Sequence, residues 1–241
     1  MIKMMRIELL KLKGSLALLV LVIAPLLVGV LAGLAVVAAN QKMSWEDLFV
    51  TLSFPLWALF LLPMTATLFT TLMAQIEHGP GAFDHLLALP ISKAQLFFTK
   101  LMLAFIGIFI MGGLLVTFVW ACAQLGSLVA SRPIEGAFQF GSLLWASLVF
   151  SACAAPLTLF QAWAALRFKS FIPPLGLGIA GVLVTLAIAI TNTDKADWFP
   201  HAQPFLTILR PEGELRPFTM ILLTLFLIPF CLYDLGRRDM R

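Results

Sequence analysis

Three histidines, His78, His85 and His201, are the residues that first suggest acid–base or metal chemistry, and Glu77 and Asp84 stand beside two of them. Their spacing does not support it. No H-E-x-x-H or comparable ligand set is present, and the membrane topology derived below puts His201 across the bilayer from the other two. Cys122, Cys153 and Cys231 all lie in apolar runs, where free cysteine behaves as a small apolar side chain rather than as part of a disulfide framework or a zinc site. Gly176, Gly178 and Gly181 satisfy G-x-G-x-x-G, but no strand precedes them and the run around them is apolar throughout, so the dinucleotide reading fails. The phosphate-binding pattern G-x-x-x-x-G-K-[ST] is absent. Polar side chains inside apolar runs remain: Thr65, Thr67, Thr70, Thr71 and Gln161. Of these, Thr67, Thr71 and Gln161 are candidate pathway residues, with bonding between helices as the alternative use.

The elements that hold these residues follow from composition. Of 241 residues, 61% are hydrophobic and 12% charged, against about 25% charge in soluble domains. Ser15 to Gln41 and Leu48 to Ile76 carry no charge at all, and each exceeds the roughly 20 residues that cross a bilayer. The first run is too long for a cleavable signal, whose apolar stretch is about 7–15 residues. Six spans are predicted, at about 16–39, 48–74, 97–123, 139–165, 173–192 and 217–233. The last needs snorkelling flanks or local thinning of the bilayer. The expected fold is an all-α integral membrane protein in a single domain, 1–241. Pro25, Pro55, Pro63, Pro156 and Pro229 predict kinks, and Gly29 and Gly33 predict a close helix–helix contact.

Charge sets the orientation. Lys3, Arg6, Lys11, Lys13, Lys93, Lys100, Arg167, Lys169, Arg237, Arg238 and Arg241 fall on one side, and Lys42, Arg132, Lys195, Arg210 and Arg216 on the other. The richer side is cytoplasmic, with both termini. Residues 1–13 place Ile2, Met5, Leu9 and Leu12 on one stripe, away from Lys3, Arg6 and Lys13, as in an amphipathic interfacial helix, and Gly14 is its expected stop. A basic flank that only sets topology is the alternative. No ionisable residue is expected in the middle of a span, which argues against ion-coupled carriers and intramembrane enzymes.

The segment with internal punctuation is the cytoplasmic connection between the second and third spans. Gly79, Pro80 and Gly81 break the second span, 82–89 can form two helical turns, and Pro90 ends them. Ser92 and Gln95 form a capping box for the third span. Phe83, Leu86 and Leu87 share one face of the short helix, while Asp84 and His85 point elsewhere. Such a helix either lies on lipid headgroups or docks into a soluble partner. The largest outer connection, from about 193 to 216, is too small for a nucleotide-binding domain. Its Trp198 suits the membrane interface.

Taken together, "IELLKLKGS" before the first span, "AQIEHGPGAFDHLLALPISKAQLFFTKLM" after the second, six spans and the basic tail "YDLGRRDMR" resemble the ABC-2 type permease family. The match is nearest its compact branch, which includes permeases of lantibiotic self-protection exporters. The resemblance implies an exporter subunit energised by a separate ATPase, so that the chain itself is not an enzyme. ATP and magnesium would be bound by the partner, and no cofactor or metal by this chain. It further implies that Glu77, Phe83, Asp84, Leu86, Leu87 and Pro90 belong to the ATPase-coupling segment. The partners would be two ATPase copies, a second permease copy or a paralogue, and membrane lipid, but no nucleic acid. The implied location is the bacterial inner membrane, and the implied substrate is an amphipathic or hydrophobic molecule such as a peptide antibiotic, a drug or a lipid-like compound. The alternative is a membrane anchor that docks a cytoplasmic partner without transporting anything.

Overall fold

The computed structural model describes residues 2–78, 92–193, 197–210 and 215–237, and among them it is helical without strands. The interfacial helix α1 (Ile2–Leu12) ends at Gly14, whose φ of 77° is a conformation that glycine adopts without strain. Ser15 then caps α2 (Leu16–Ala38). There follow α3 (Asp47–His78), α4 (Lys93–Ala130), the bent pair α5 (Phe140–Cys153) and α6 (Ala155–Arg167), α7 (Ile172–Thr191), the short α8 (Gln203–Leu209) and α9 (Arg216–Arg237). Counting the bent pair once gives six candidate spans, each at a predicted place.

Several helices outrun their apolar runs. At about 1.5 Å per residue, the 38 residues of α4 reach about 57 Å, well beyond a hydrocarbon core of about 30 Å. The last span, expected to be short, is a helix of 22 residues and needs no thinning of the bilayer. Its added turn at the basic end is held by Asp234, which pairs with Arg167 and accepts a hydrogen bond from Trp163 Nε1 at 2.9 Å.

Proline places the irregularities. Pro55 and Pro63 have no N–H to give to the helical ladder, and α3 answers with wide i→i+5 turns at Asp47–Ser53 and Trp57–Leu61. Pro156 does the same for the fourth span, which breaks at Ala154 and bends by 48°. Thr158 Oγ1 donates to the Ala154 carbonyl at 2.8 Å.

α2 packs most extensively against α4, and glycine explains the closeness. A Cβ on Gly29 would lie 2.7 Å from the Phe118 carbonyl oxygen, and one on Gly33 2.6 Å from that of Cys122. Gly126 returns the contact at 2.4 Å from the Gly33 oxygen, so the predicted pair is half of a three-glycine seam. Trp57, Leu62, Phe69, Leu101, Ile108 and Leu115 fill the centre of the bundle. Leu222, Phe226 and Phe230 of α9 face outward, as lipid contact requires.

Candidate functional site

At the basic end of the bundle, four charges meet beneath α1. Lys100 Nζ lies 2.9 Å from Glu8 Oε2 and 2.8 Å from Glu77 Oε1; Lys11 Nζ lies 2.8 Å from Glu8 Oε1 and 2.6 Å from Glu77 Oε1. The set is neutral and three of its members are nearly dry, Lys100 being 0%, Glu77 2% and Glu8 5% exposed, while Lys11 reaches solvent with 26% of its side chain exposed. An unpaired charge at such depth costs several kcal/mol, so the cluster is stable only as a set. It joins the interfacial helix to the last turn of α3 and the second turn of α4, the two helices that flank the connection 79–91.

Local sequence explains the geometry. Met4, Met5, Glu8, Lys11 and Leu12 fall on one side of α1, turned toward the bundle, while Lys3, Arg6, Ile7 and Leu10 face away. The predicted stripe is therefore rotated. Leu12 is buried and Met5 partly so, but Leu9 is 50% exposed, because the docking face is centred on Glu8 rather than on an apolar residue. Burial alone would raise the Glu8 carboxyl; the charge of Lys100 and hydrogen bonds from Lys11 and Lys100 outweigh it and hold the group below its ordinary value. Burial likewise opposes the charge of Lys11, and hydrogen bonds from its ammonium to Glu77 and Glu8 raise that group instead.

Of the residues expected in the coupling segment, Glu77 is in this cluster. Phe83, Asp84, Leu86, Leu87 and Pro90 lie outside the described residues. The capping box is present, with the Gln95 amide donating to Ser92 Oγ at 3.2 Å. Glu8, Lys11 and Lys100 were not singled out by the sequence reading. Glu8 is the only acidic residue before Glu46, and Lys100 interrupts the third apolar run near its start; together these were the available signal.

Thr67 and Thr71 on α3 and Gln161 on α6 belong to helices that pack together, and all three are buried, each being at most 1% exposed. Thr67 Oγ1 donates to the Pro63 carbonyl at 2.9 Å and Thr71 Oγ1 to that of Thr67 at 2.7 Å, so both hydroxyls are satisfied within α3. Gln161 instead meets His201, a residue of the outer connection, with Nε2 to Nε2 at 3.0 Å. The outer connection thus does more than skirt the membrane surface. His201 rests on Gly181, the tenth of twenty residues in α7 and so about 14 Å from either end of that span. Trp198 stays exposed, as an interfacial residue would be.

A half-open apolar cleft of about 520 Å³ lies beside α8, lined by Phe109, Trp145, Leu148, Phe218 and Ile221, with Thr207 and Arg210 among its polar members. Among the described residues no group of three or more His, Cys, Asp or Glu side chains could hold a metal ion.

Six apolar spans, an interfacial helix pinned by buried charges and polar residues held between spans define a multi-pass membrane protein. Comparison with known families agrees: a profile described as ABC-2 family transporter protein matches residues 4–198. The chain belongs to that family and is a permease subunit of an ABC transporter. No curated protein and no solved structure matches it.

Proposed function

We propose that the chain is the membrane half of an ABC exporter of the inner membrane, driven by a separate ATPase that docks on the connection between α3 and α4. The observation that carries this reading is the ion cluster. Glu77 precedes that connection and Lys100 follows it, so a force applied by a docked ATPase reaches α1, α3 and α4 together. A buried, charge-paired junction moves as a unit, because pulling one helix out of it leaves a net charge uncompensated among the buried groups. In this reading the α3–α4 connection, which carries Phe83, Asp84, Leu86, Leu87 and Pro90, supplies the docking surface. ATP and magnesium are bound by the partner chain.

The working unit in this reading has two permease subunits, a second copy or a paralogue, and two ATPases. The substrate is amphipathic or hydrophobic, a class that suits the apolar cleft beside α8. It leaves the cytoplasm by alternating access, and the bends at Pro55, Pro63 and Pro156 give three spans places to flex.

Purification of the detergent-solubilised chain from its own cells tests the proposal, with wild type compared to Phe83→Asp and Leu87→Asp. An ABC ATPase should accompany the wild type and be lost from both variants. A wild-type complex without any ATPase, under conditions that keep other membrane assemblies intact, would instead favour a membrane anchor for some other cytoplasmic partner.

A further inference from the structure

The cleft beside α8 opens sideways out of the bundle. Phe109 of α4, Trp145 of α5 and Phe218 and Ile221 of α9 line it, and all four side chains are exposed. Its walls are fixed by packing: α8 and α9 each lie on α5, α9 also lies on α4, and Ile208 of α8 rests on the main core. At about 520 Å³, the cleft falls within the range of about 300–1,000 Å³ that holds small molecules. Water does not occupy an apolar groove in the lateral face of a membrane bundle. A lipid tail, as apolar as the side chains around it, fills such a groove unless another protein surface covers it.

The rim decides which lipid fits. Arg210 follows the last turn of α8 and lies in the cleft wall, where its Nη1 donates to Asp197. Arg216 opens α9, immediately before Pro217 of the wall. Its charge is felt at Cys153, the neighbour of Ala152 in the same wall, and its Nη1 is buried with no hydrogen-bond partner among the described residues. Positive residues are scarce at this end of the bundle, and the sequence offers five there. Lys42 pairs with Glu135, Arg132 donates to the Ala39 carbonyl, and Lys195 lies outside the described residues. The remaining two, Arg210 and Arg216, meet at the cleft. Asp197 offsets one of them. The second guanidinium keeps its charge and a free N–H beside an apolar groove, which is the arrangement that receives a phosphate with a tail attached.

We infer that the cleft binds a phospholipid with an anionic headgroup, its phosphate held at Arg216 and Arg210 and one acyl chain lying between α5 and α9. Ile221 is about 7.5 Å along α9 from Arg216, so the chain runs inward from the headgroup over the first turns of that helix. The lipid comes from the leaflet opposite the ion cluster. Its binding goes beyond the permease reading and needs neither transport nor an ATPase, so it can be tested separately from both.

Trp145 reports on the cleft directly. The full chain is reconstituted in phosphatidylcholine vesicles that contain a minor fraction of brominated phosphatidylglycerol or, in parallel, of brominated phosphatidylcholine with the same chains. Bromine quenches a tryptophan it touches, and subtracting the signal of Trp145→Phe isolates the cleft from the other tryptophans. The Trp145 signal should show a preference of about fivefold for phosphatidylglycerol, the effect of one uncompensated arginine near the membrane surface. Arg216→Gln should erase that preference, and Arg216→Lys, which keeps the charge, should retain most of it.

Equal quenching by the two lipids in the wild type overturns the proposal, whether or not the Arg216 variants fold. It would mean that the arginines are neutralised within the chain, by Asp197 together with Glu212 or Glu214, the last two lying outside the described residues. Absence of quenching by either lipid also overturns it, and would show that another protein surface, such as a second copy of the chain, covers the cleft. A preference that survives in folded Arg216→Gln would place the headgroup elsewhere and overturn the assignment to this rim.

Discussion

Lys100 is fully buried between two carboxylates that come from residues 92 and 23 positions before it in the chain. Removing it leaves Glu8 and Glu77 with Lys11 alone and one negative charge uncompensated in a buried site, so Lys100→Met should destabilise the protein by about 3–5 kcal/mol, read by denaturant titration in detergent. Adding Glu8→Met should recover part of that loss, because the second change restores neutrality. The cluster also fixes a pH window. Glu8 is held low, so its contribution is complete above its unfolded value of about 4.3 and is lost as pH falls through the lower folded value; Lys11 is held high, so its contribution is complete below about 10.4 and is lost as pH rises through the higher folded value. Between about pH 5 and 10 stability should therefore be insensitive to these groups, as thermal unfolding across that range would show. Sequence alone did not reveal the cluster, since a lysine near the start of an apolar run looks like a topology-setting flank until a partner from a distant helix is placed beside it.

Helices were legible where one physical rule dominated. Long apolar runs located all six spans, and proline located the bend at Ala154 and the widened turns of α3. Helix ends were less legible, because polar contacts such as Asp234 with Arg167 extend a helix past the end of its apolar run. The rotation of α1 was hidden for a related reason: its docking face is built around a charge, and an apolar periodicity cannot find that face. The re-entry of 197–210 escaped notice because the segment is short and mixed in polarity, unlike a span. At this scale the α2–α4 seam yields a prediction. Gly33→Leu would force a side chain into the backbone of α4 at Cys122, and should separate the helices at a cost of about 1–3 kcal/mol or more, measured as a lowered midpoint of thermal unfolding.

For the whole molecule, the layout assigns different work to the two ends. At the basic end the ion cluster ties α1, α3 and α4 together, and the Asp234 contacts tie α6 to α9. The opposite end carries segment 197–210, packed on α5 and α7. A force received at the basic end would therefore move the helices joined there together. The central claim is that the force comes from an ATPase the chain does not itself contain, and it is tested most directly by ATP hydrolysis in the complex purified from native cells. The purified chain alone should hydrolyse no ATP, whereas the complex should hydrolyse it, and activity should fall when Leu87→Asp removes the docking face. Hydrolysis by the complex that is indifferent to that variant, or a complex that never hydrolyses ATP, would contradict the account.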